Sequence, residues 1–317
     1  MNIGIDMMGG DYAPLEAAKG ILLYLSHAQA NVKLTLIGQK HIIDELLHQR
    51  IIPTNNIHVV DAQQMIEMHE HPTKAFKEKQ QSSISIGFKL LATGKIDAFI
   101  SAGNTGAMMV GALFSIKAID GVNRPTIGAY MPRENGKLGV LLDAGINADC
   151  KPENLVQFAT LGSLFAEHIL GIEKPRVGLV NIGEEEGKGN LLAQATHTLL
   201  KENSTINFIG NIEGRDILLD KADVMVCDGF TGNVVLKMAE SIYDIVKRRK
   251  IKDEYFDRFN FEEYGGVPVL GVAKPVIIGH GISQAAAFKN MILVAQKMIE
   301  KDLMQKMKDA FMWKVTE

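Results

Sequence analysis

The chain has 317 residues, a formal net charge of −3 and two cysteines. That charge excludes binding nucleic acid through bulk electrostatics, and two cysteines, Cys150 and Cys227, exclude a disulfide framework and fit a reducing compartment. Hydrophobic residues at 46% and charged residues at 22% give the balance of a globular protein long enough for a sizeable core. The opening M-N-I-G-I-D-M-M-G-G-D lacks a basic region followed by a long apolar stretch, and no later run is long enough to span a bilayer. A cytosolic protein is expected.

Apolar runs that end in a glycine-containing turn and lead into a helical stretch recur along the chain. Asn2–Asp6 precedes Gly9 and Gly10, 33–37 precedes Gly38, and 98–100 precedes Gly103. Leu138–Leu142 precedes Gly145, 177–182 precedes Gly183, 224–227 precedes Gly229, and Val276–Ile278 precedes Gly279 and Gly281. Runs this apolar predict a mainly parallel sheet covered on both faces. Pro152 is placed to open a helix and Ser283 to cap one. No Pro-, Ser- or Gly-rich linker divides the chain, so one three-layer α/β/α sandwich is expected over 1–317, as one body or as two lobes that share a sheet. The stretch 234–263 is set apart as a helical projection. It carries Leu236, Ala239, Ile242 and Val246 in a stripe, then a basic run and the aromatics Tyr255, Phe256, Phe259 and Phe261.

In an open parallel sheet, ligands bind beyond the carboxyl ends of the strands. There, S-A-G-N-T-G at 101–106 combines small neutral residues with bare backbone before a helix. Gly103 and Gly106 allow close approach, Asn104 and Thr105 add donors, and the helix start favours an anion, most simply phosphate. G-E-E-E-G-K-G at 183–189 fails as a nucleotide P-loop, having three glutamates between its glycines and no hydroxyl after the lysine. Lys188 remains a point charge for a small anion. In C-D-G-F-T-G-N at 227–233, Asp228 closes a strand and Asn233 is placed to donate to an oxyanion. His280, between two glycines, is a candidate proton donor. Pro72 to Ser83 reads as a basic loop, with Lys74 near an anion site and Ser82 able to cap a helix. His69-Glu70-His71 lacks further metal ligands at a recognisable spacing, no dinucleotide fingerprint follows the first strand, and neither cysteine has an adjacent activating base.

Taken together, I-D-M-M-G-G-D at 5–11, E-H-P-T-K-A at 70–75, S-A-G-N-T-G-A at 101–107, L-L-D-A-G-I-N-A-D-C-K-P at 141–152, N-I-G-E-E-E-G-K-G-N at 181–190, F-I-G-N-I-E-G-R-D at 208–216, C-D-G-F-T-G-N-V-V-L-K at 227–237 and Y-G-G-V-P-V-L-G at 264–271 carry a resemblance. The sequence resembles the bacterial phosphate acyltransferases of phospholipid synthesis, essentially end to end. The resemblance implies an α/β/α sandwich like that of phosphotransacetylases and isocitrate dehydrogenases, usually as a homodimer attached peripherally to the inner membrane face. It implies acyl transfer from acyl carrier protein to inorganic phosphate, feeding a downstream membrane acyltransferase; no cofactor and no metal-ligating residues are expected, and metal dependence is left open. Two departures stand out. The 234–263 segment is shorter than the family pattern, so membrane contact is expected to be weak, and H-G-I-S at 280–283 replaces H-G-S-S.

On this reading phosphate is the nucleophile. Lys188 and Gly103, Asn104, Thr105 and Gly106 bind it, with Lys74, Ser82 and Asp228 also at the substrate, while Asn233 meets the oxyanion and His280 moves a proton. The basic run from Lys247 to Lys252 faces the acidic carrier or anionic lipid. The alternatives are a phosphotransacetylase-like enzyme using acyl-CoA, a nicotinamide enzyme on the same fold, and a non-catalytic membrane scaffold.

Overall fold

The computed structural model describes residues 1–26, 32–49 and 55–312. The chain divides into two compact units, the first from 1–118 and 261–304, the second from 119–260 and the stretch from 305 onward. The first unit begins β1 (Asn2–Asp6), α1 (Leu15–Leu25), β2 (Lys33–Gly38), α2 (Lys40–His48), β3 (Ile57–Asp61), α3 (Pro72–Glu78), α4 (Ser83–Ala92), β4 (Ala98–Ser101) and α5 (Thr105–Gly111). The second holds β5 (Thr126–Pro132), β6 (Leu138–Leu142), α6 (Pro152–Phe165), β7 (Arg176–Asn181), α7 (Leu191–Glu202), β8 (Asn207–Glu213), β9 (Val224–Val226), α8 (Gly229–Arg248) and α9 (Glu254–Asp257). The chain then returns to the first unit with β10 (Val267–Leu270), β11 (Val276–Ile278) and α10 (Ala285–Glu300), and α11 (Leu303–Met312) follows.

The strand order of the first unit is β3-β2-β1-β4-β11-β10, parallel except for β10 against β11. That of the second is β5-β6-β9-β7-β8, parallel except for β5 against β6. All seven expected apolar runs are strands, and their cores are buried on both faces. The outermost strand β3 instead exposes His58 and Asp61, charge-bearing positions that discourage pairing with another edge. This is the expected α/β architecture with a mainly parallel sheet.

Helix starts show where local signals hold and where tertiary contacts replace them. Pro152 opens α6 as expected, and Ser82 caps α4, its Oγ accepting from Ser85 N–H at 3.2 Å. The stretch from Pro72 is not the expected basic loop. Pro72 starts α3, and Ala75 is buried beneath that helix. Ser283 does not cap α10 either. The N-cap position is Gln284, without a side-chain bond, and the Glu16 carboxylate of α1 accepts from Ala285 N–H at 3.0 Å instead. An acid from a neighbouring helix thus supplies the anionic group that the start of α10 favours.

At the amino-terminal side of the second unit's strands lies an ion cluster. Arg133 is fully buried; its Nη1 donates to Asp223 at 2.6 Å and Asp220 at 2.8 Å. Arg176 bonds both acids as well. Burial alone would raise the Asp223 carboxyl, but bonds from Arg176 and the charge of Arg133 outweigh it and hold it below its ordinary value. The Arg176 hydrogen bond holds Asp220 low in the same way.

Candidate functional site

In the first unit, β1 and β4 end on Asp6 and Ser101, both fully buried. Asp6 Oδ2 accepts from Ser101 Oγ–H at 2.6 Å, and Asp6 Oδ1 accepts from Met8 N–H at 2.9 Å. Ser101 Oγ in turn accepts from Gly103 N–H at 2.9 Å. The carboxylate thereby fixes the hydroxyl that fixes the turn. Gly9 crosses this cluster so closely that a Cβ there would lie 2.5 Å from Asp6 Oδ2 and 2.6 Å from Gly103 N. Burial raises the Asp6 carboxyl, and bonds from Ser101, Ser83 and the N–H groups of Met8 and Gly9 pull it down only in part. Asp11 N–H donates to Gly281 O at 2.8 Å, joining the β1 loop to the β11 loop, where His280 is exposed.

The 103–106 turn is held from several sides. Asn104 Oδ1 caps α5 by accepting from Ala107 N–H at 3.0 Å. Its amide donates to the carbonyls of Glu67, Met68 and Glu70 at 3.1, 3.2 and 3.1 Å. Asn104 therefore folds the 67–70 loop onto the turn. At Gly106 a Cβ would overlap the Pro72 ring, so this glycine lets α3 and α5 meet. Thr105 is exposed at the first position of α5, where the N–H groups of Thr105 and Gly106 have no acceptor earlier in the helix. Lys74 is exposed on α3, whereas Ser82 is fully buried in its cap.

In the second unit, Asp143 directly follows β6 and is also fully buried. Its Oδ2 accepts from Asn147 N–H at 2.6 Å and Asn147 Nδ2 at 2.8 Å, and its Oδ1 from Ile127 N–H at 3.3 Å. The start of α8 packs on this loop: a Cβ at Gly232 would overlap the Asp143 carbonyl oxygen. Asp228 is the N-cap of α8, accepting from Thr231 N–H at 2.8 Å and Thr231 Oγ1 at 2.9 Å. Asn233 follows within the first turns and is exposed, with Nδ2 3.4 Å from the Ala144 carbonyl.

The 183–189 loop does not present three bare carboxylates. Glu184 pairs with Lys221 at 2.5 Å and Glu186 with Lys201 at 2.6 Å. Glu185 lies 4.0 Å from Lys188, whose side chain is 51% exposed. Amides from outside the loop fix its backbone: Asn181 donates to Lys188 O at 3.1 Å, Asn211 to Glu185 O at 2.9 Å and Gln194 to Gly187 O at 2.9 Å. Nearby, burial pushes the Cys227 thiol well above its ordinary value. Cys150 is pushed up to about 11, by burial first and then by the charge of Asp143. Both are thiols rather than thiolates at neutral pH.

The sequence candidates thus fall into two groups, each described within its own unit. Gly103, Asn104, Thr105, Gly106, Lys74, Ser82 and His280 belong to the first, and Lys188, Asp228 and Asn233 to the second. Sequence reasoning gave no role to Asp6, Ser101, Asp143 or Asn147. The available signal was a lone aspartate closing an apolar run, as in I-D at 5–6 and L-L-D at 141–143. Among the described residues no cluster of three or more His, Cys, Asp or Glu is placed to hold a metal ion.

Residues 1–306 match the family model described as fatty acid synthesis protein. The phosphate acyltransferase of Dictyoglomus turgidum is 42% identical over 325 residues, with 96% of each chain covered. This chain belongs to the phosphate acyltransferase family. The phosphate acyltransferase of Aquifex aeolicus is 43% identical, with 97% of this chain and 96% of that one covered. Membership makes the protein an acyltransferase of fatty acid synthesis. Among solved structures, the EutD phosphotransacetylase of Staphylococcus aureus superposes with a TM-score of 0.64 at 17% identity, covering 93% of this chain and 94% of that one. A phosphotransacetylase of Streptococcus pyogenes also gives 0.64 at 17% identity, with 94% of each chain covered. At that identity the likeness establishes the fold, which is the phosphotransacetylase-like one expected.

Proposed function

We propose that this phosphate acyltransferase moves a fatty acyl group from acyl carrier protein to inorganic phosphate, and that bound phosphate itself attacks the thioester. The observation that supports direct attack is the setting of the cysteines: Cys227 is buried and Cys150 half-buried, and burial raises both thiols, which disfavours either as an acyl-accepting thiolate. Ser101 touches a carboxylate, but it is fully buried and its oxygen already accepts from Gly103. A phosphate oxygen bonds to the carbonyl carbon, the carbon–sulfur bond breaks, and the carrier thiolate leaves and takes up a proton. Positioning and preorganised charge then supply most of the acceleration.

Phosphate-binding roles go to the 103–106 turn in the first unit and to Lys188 in the second. In the turn, Thr105 and the open N–H groups make contact, Asn104 shapes the loop, and Ser82 supports it by capping α4; Lys74 adds positive charge nearby. Asn233 stabilises the oxyanion, with Asp228 ordering the helix start that carries it, and His280 protonates the leaving thiolate.

The carrier meets the basic run Lys247, Arg248, Arg249, Lys250 and Lys252, all exposed. The protein is a homodimer in the cytoplasm whose membrane contact is weak, and its product passes to a membrane acyltransferase. Among the described residues no helix is long and apolar enough to cross a membrane, which is compatible with peripheral contact. The test is a palmitoyl carrier protein incubated with and without phosphate. Release of the carrier thiol only with phosphate, with a hydroxylamine-reactive product, is expected. Turnover of palmitoyl-CoA but not of the carrier thioester would overturn the choice of donor.

A further inference from the structure

The second unit contains a cleft of about 310 Å³ lined from α6, β7, α7 and the start of α8. Its floor is apolar: Leu155, Leu179 and Cys227 are all nearly inaccessible to water. Val180, Leu192 and Ala193 form its sides. The polar side chains at its edge each bond within the chain, Asn190 through its Oδ1 to Ala193 N–H. Asn181 bonds the Lys188 carbonyl and the Ile182 N–H, and Asp228 holds both bonding groups of Thr231. A polar ligand would find little unengaged bonding capacity here.

Two further side chains point to the occupant. Ile182, which lines the cleft, is 81% exposed, and Leu191, beside Asn190 and Leu192 of the lining, is 86% exposed. These are the two most exposed large apolar residues among those described. Ile182 lines the cleft itself, and Leu191 opens α7 between two residues that line it, so neither is an apolar side chain scattered far from the cleft.

We propose that this cleft receives the hydrocarbon chain of the fatty acyl donor. The proposal rests on the phosphate acyltransferase reading, which requires a fatty acyl group but does not say where its chain lies. A cavity of about 150 Å³ holds benzene, so a cleft of about twice that volume suits about a dozen carbons. The carbons of a longer chain would lie along Ile182 and Leu191 and remove their surface from water. A peptide helix, about 10–12 Å across, is too wide for such a volume, and the glutamates of the neighbouring 183–189 loop disfavour a polyphosphate.

The first test is photolabelling of the whole protein with palmitoyl carrier protein bearing a terminal diazirine, mapped by peptide mass spectrometry. Labels in 155, 179–182 or 191–193 are expected. Labels confined to other segments, or none, would overturn the proposal. The second compares kcat/KM for palmitoyl and octanoyl donors in Ala193→Phe, which fills the cleft, and Leu192→Ala, which widens it. The palmitoyl-to-octanoyl ratio should fall roughly tenfold or more in the first, in line with the effect of a methylene or more in an apolar pocket, and should rise in the second. An unchanged ratio in both would contradict the assignment. Failure of the wild type to release thiol from any carrier thioester would instead refute the choice of donor, while the labelling result still reports on the cleft.

Discussion

Lys188 is the side chain on which phosphate binding in the second unit rests. Its backbone is fixed by Asn181, while among the described residues its ammonium's ion-pair partner is the Glu185 carboxylate, at 4.0 Å. Lys188→Ala should therefore leave the fold intact and remove a charge-assisted contact of about 1.5–3 kcal/mol. The KM for phosphate should rise by about one to two orders of magnitude, read from initial rates against phosphate concentration; an unchanged phosphate dependence would remove Lys188 from the site. Asn104 shows the limit of reading a residue alone. Its type and its place before a helix were legible. The three carbonyls it holds come from residues 34 to 37 positions earlier, which no local pattern reveals. Asn104→Ala should thus lose a cap worth about 0.5–2 kcal/mol together with the anchoring of the 67–70 loop, visible as a lower urea midpoint and faster amide exchange in that loop.

Elements were legible where a strand is apolar throughout and ends in a glycine turn, which is the condition of strands with covered faces. β3, β5, β8 and β10 escaped the pattern for physical reasons. β3 and β8 are the outer strands of their orders and carry polar residues, while β5 and β10 run antiparallel and contain proline. The buried cluster around Arg133 was also hidden, because its acids are distant in sequence. Arg133→Met should cost about 3–5 kcal/mol by leaving buried carboxylate charge incompletely paired, measurable by urea unfolding. Since Asp220 and Asp223 are held low in the folded chain, their stabilisation is fully present above the unfolded value of about 3.9 and is lost as pH falls through and below it. Asp6, held high by burial, has the opposite sign and loses stability as pH rises. A denaturation series in acid should therefore show a steeper loss in wild type than in Arg133→Met. The apolar stripe of α8 is largely covered, and a different apolar face is open. Val246 is buried and Leu236, Ala239 and Ile242 are half-buried, whereas Phe230, Val234, Met238 and Ile245 are exposed. We propose that the homodimer contact uses this second, exposed face. Val234→Asp with Met238→Asp should give monomers by sedimentation, and neutralising Arg248, Arg249 and Lys250 should weaken carrier or anionic vesicle binding while leaving the dimer.

At the scale of the whole molecule, the family and fold were readable because motifs run the length of the chain in family order. How each motif holds its loop was not, since the buried aspartates that organise the strand ends act through residues brought close only by folding. The central claim is that phosphate attacks the thioester directly, so that no acyl group ever rests on the protein. It predicts what happens when phosphate is withheld. The decisive measurement is rapid-quench thiol release from palmitoyl carrier protein at enzyme concentrations comparable to substrate, first without phosphate and then with it. The account predicts no burst without phosphate, and release that rises to saturation with phosphate. A burst equal to the enzyme concentration in the absence of phosphate would reveal an acyl-enzyme and contradict it.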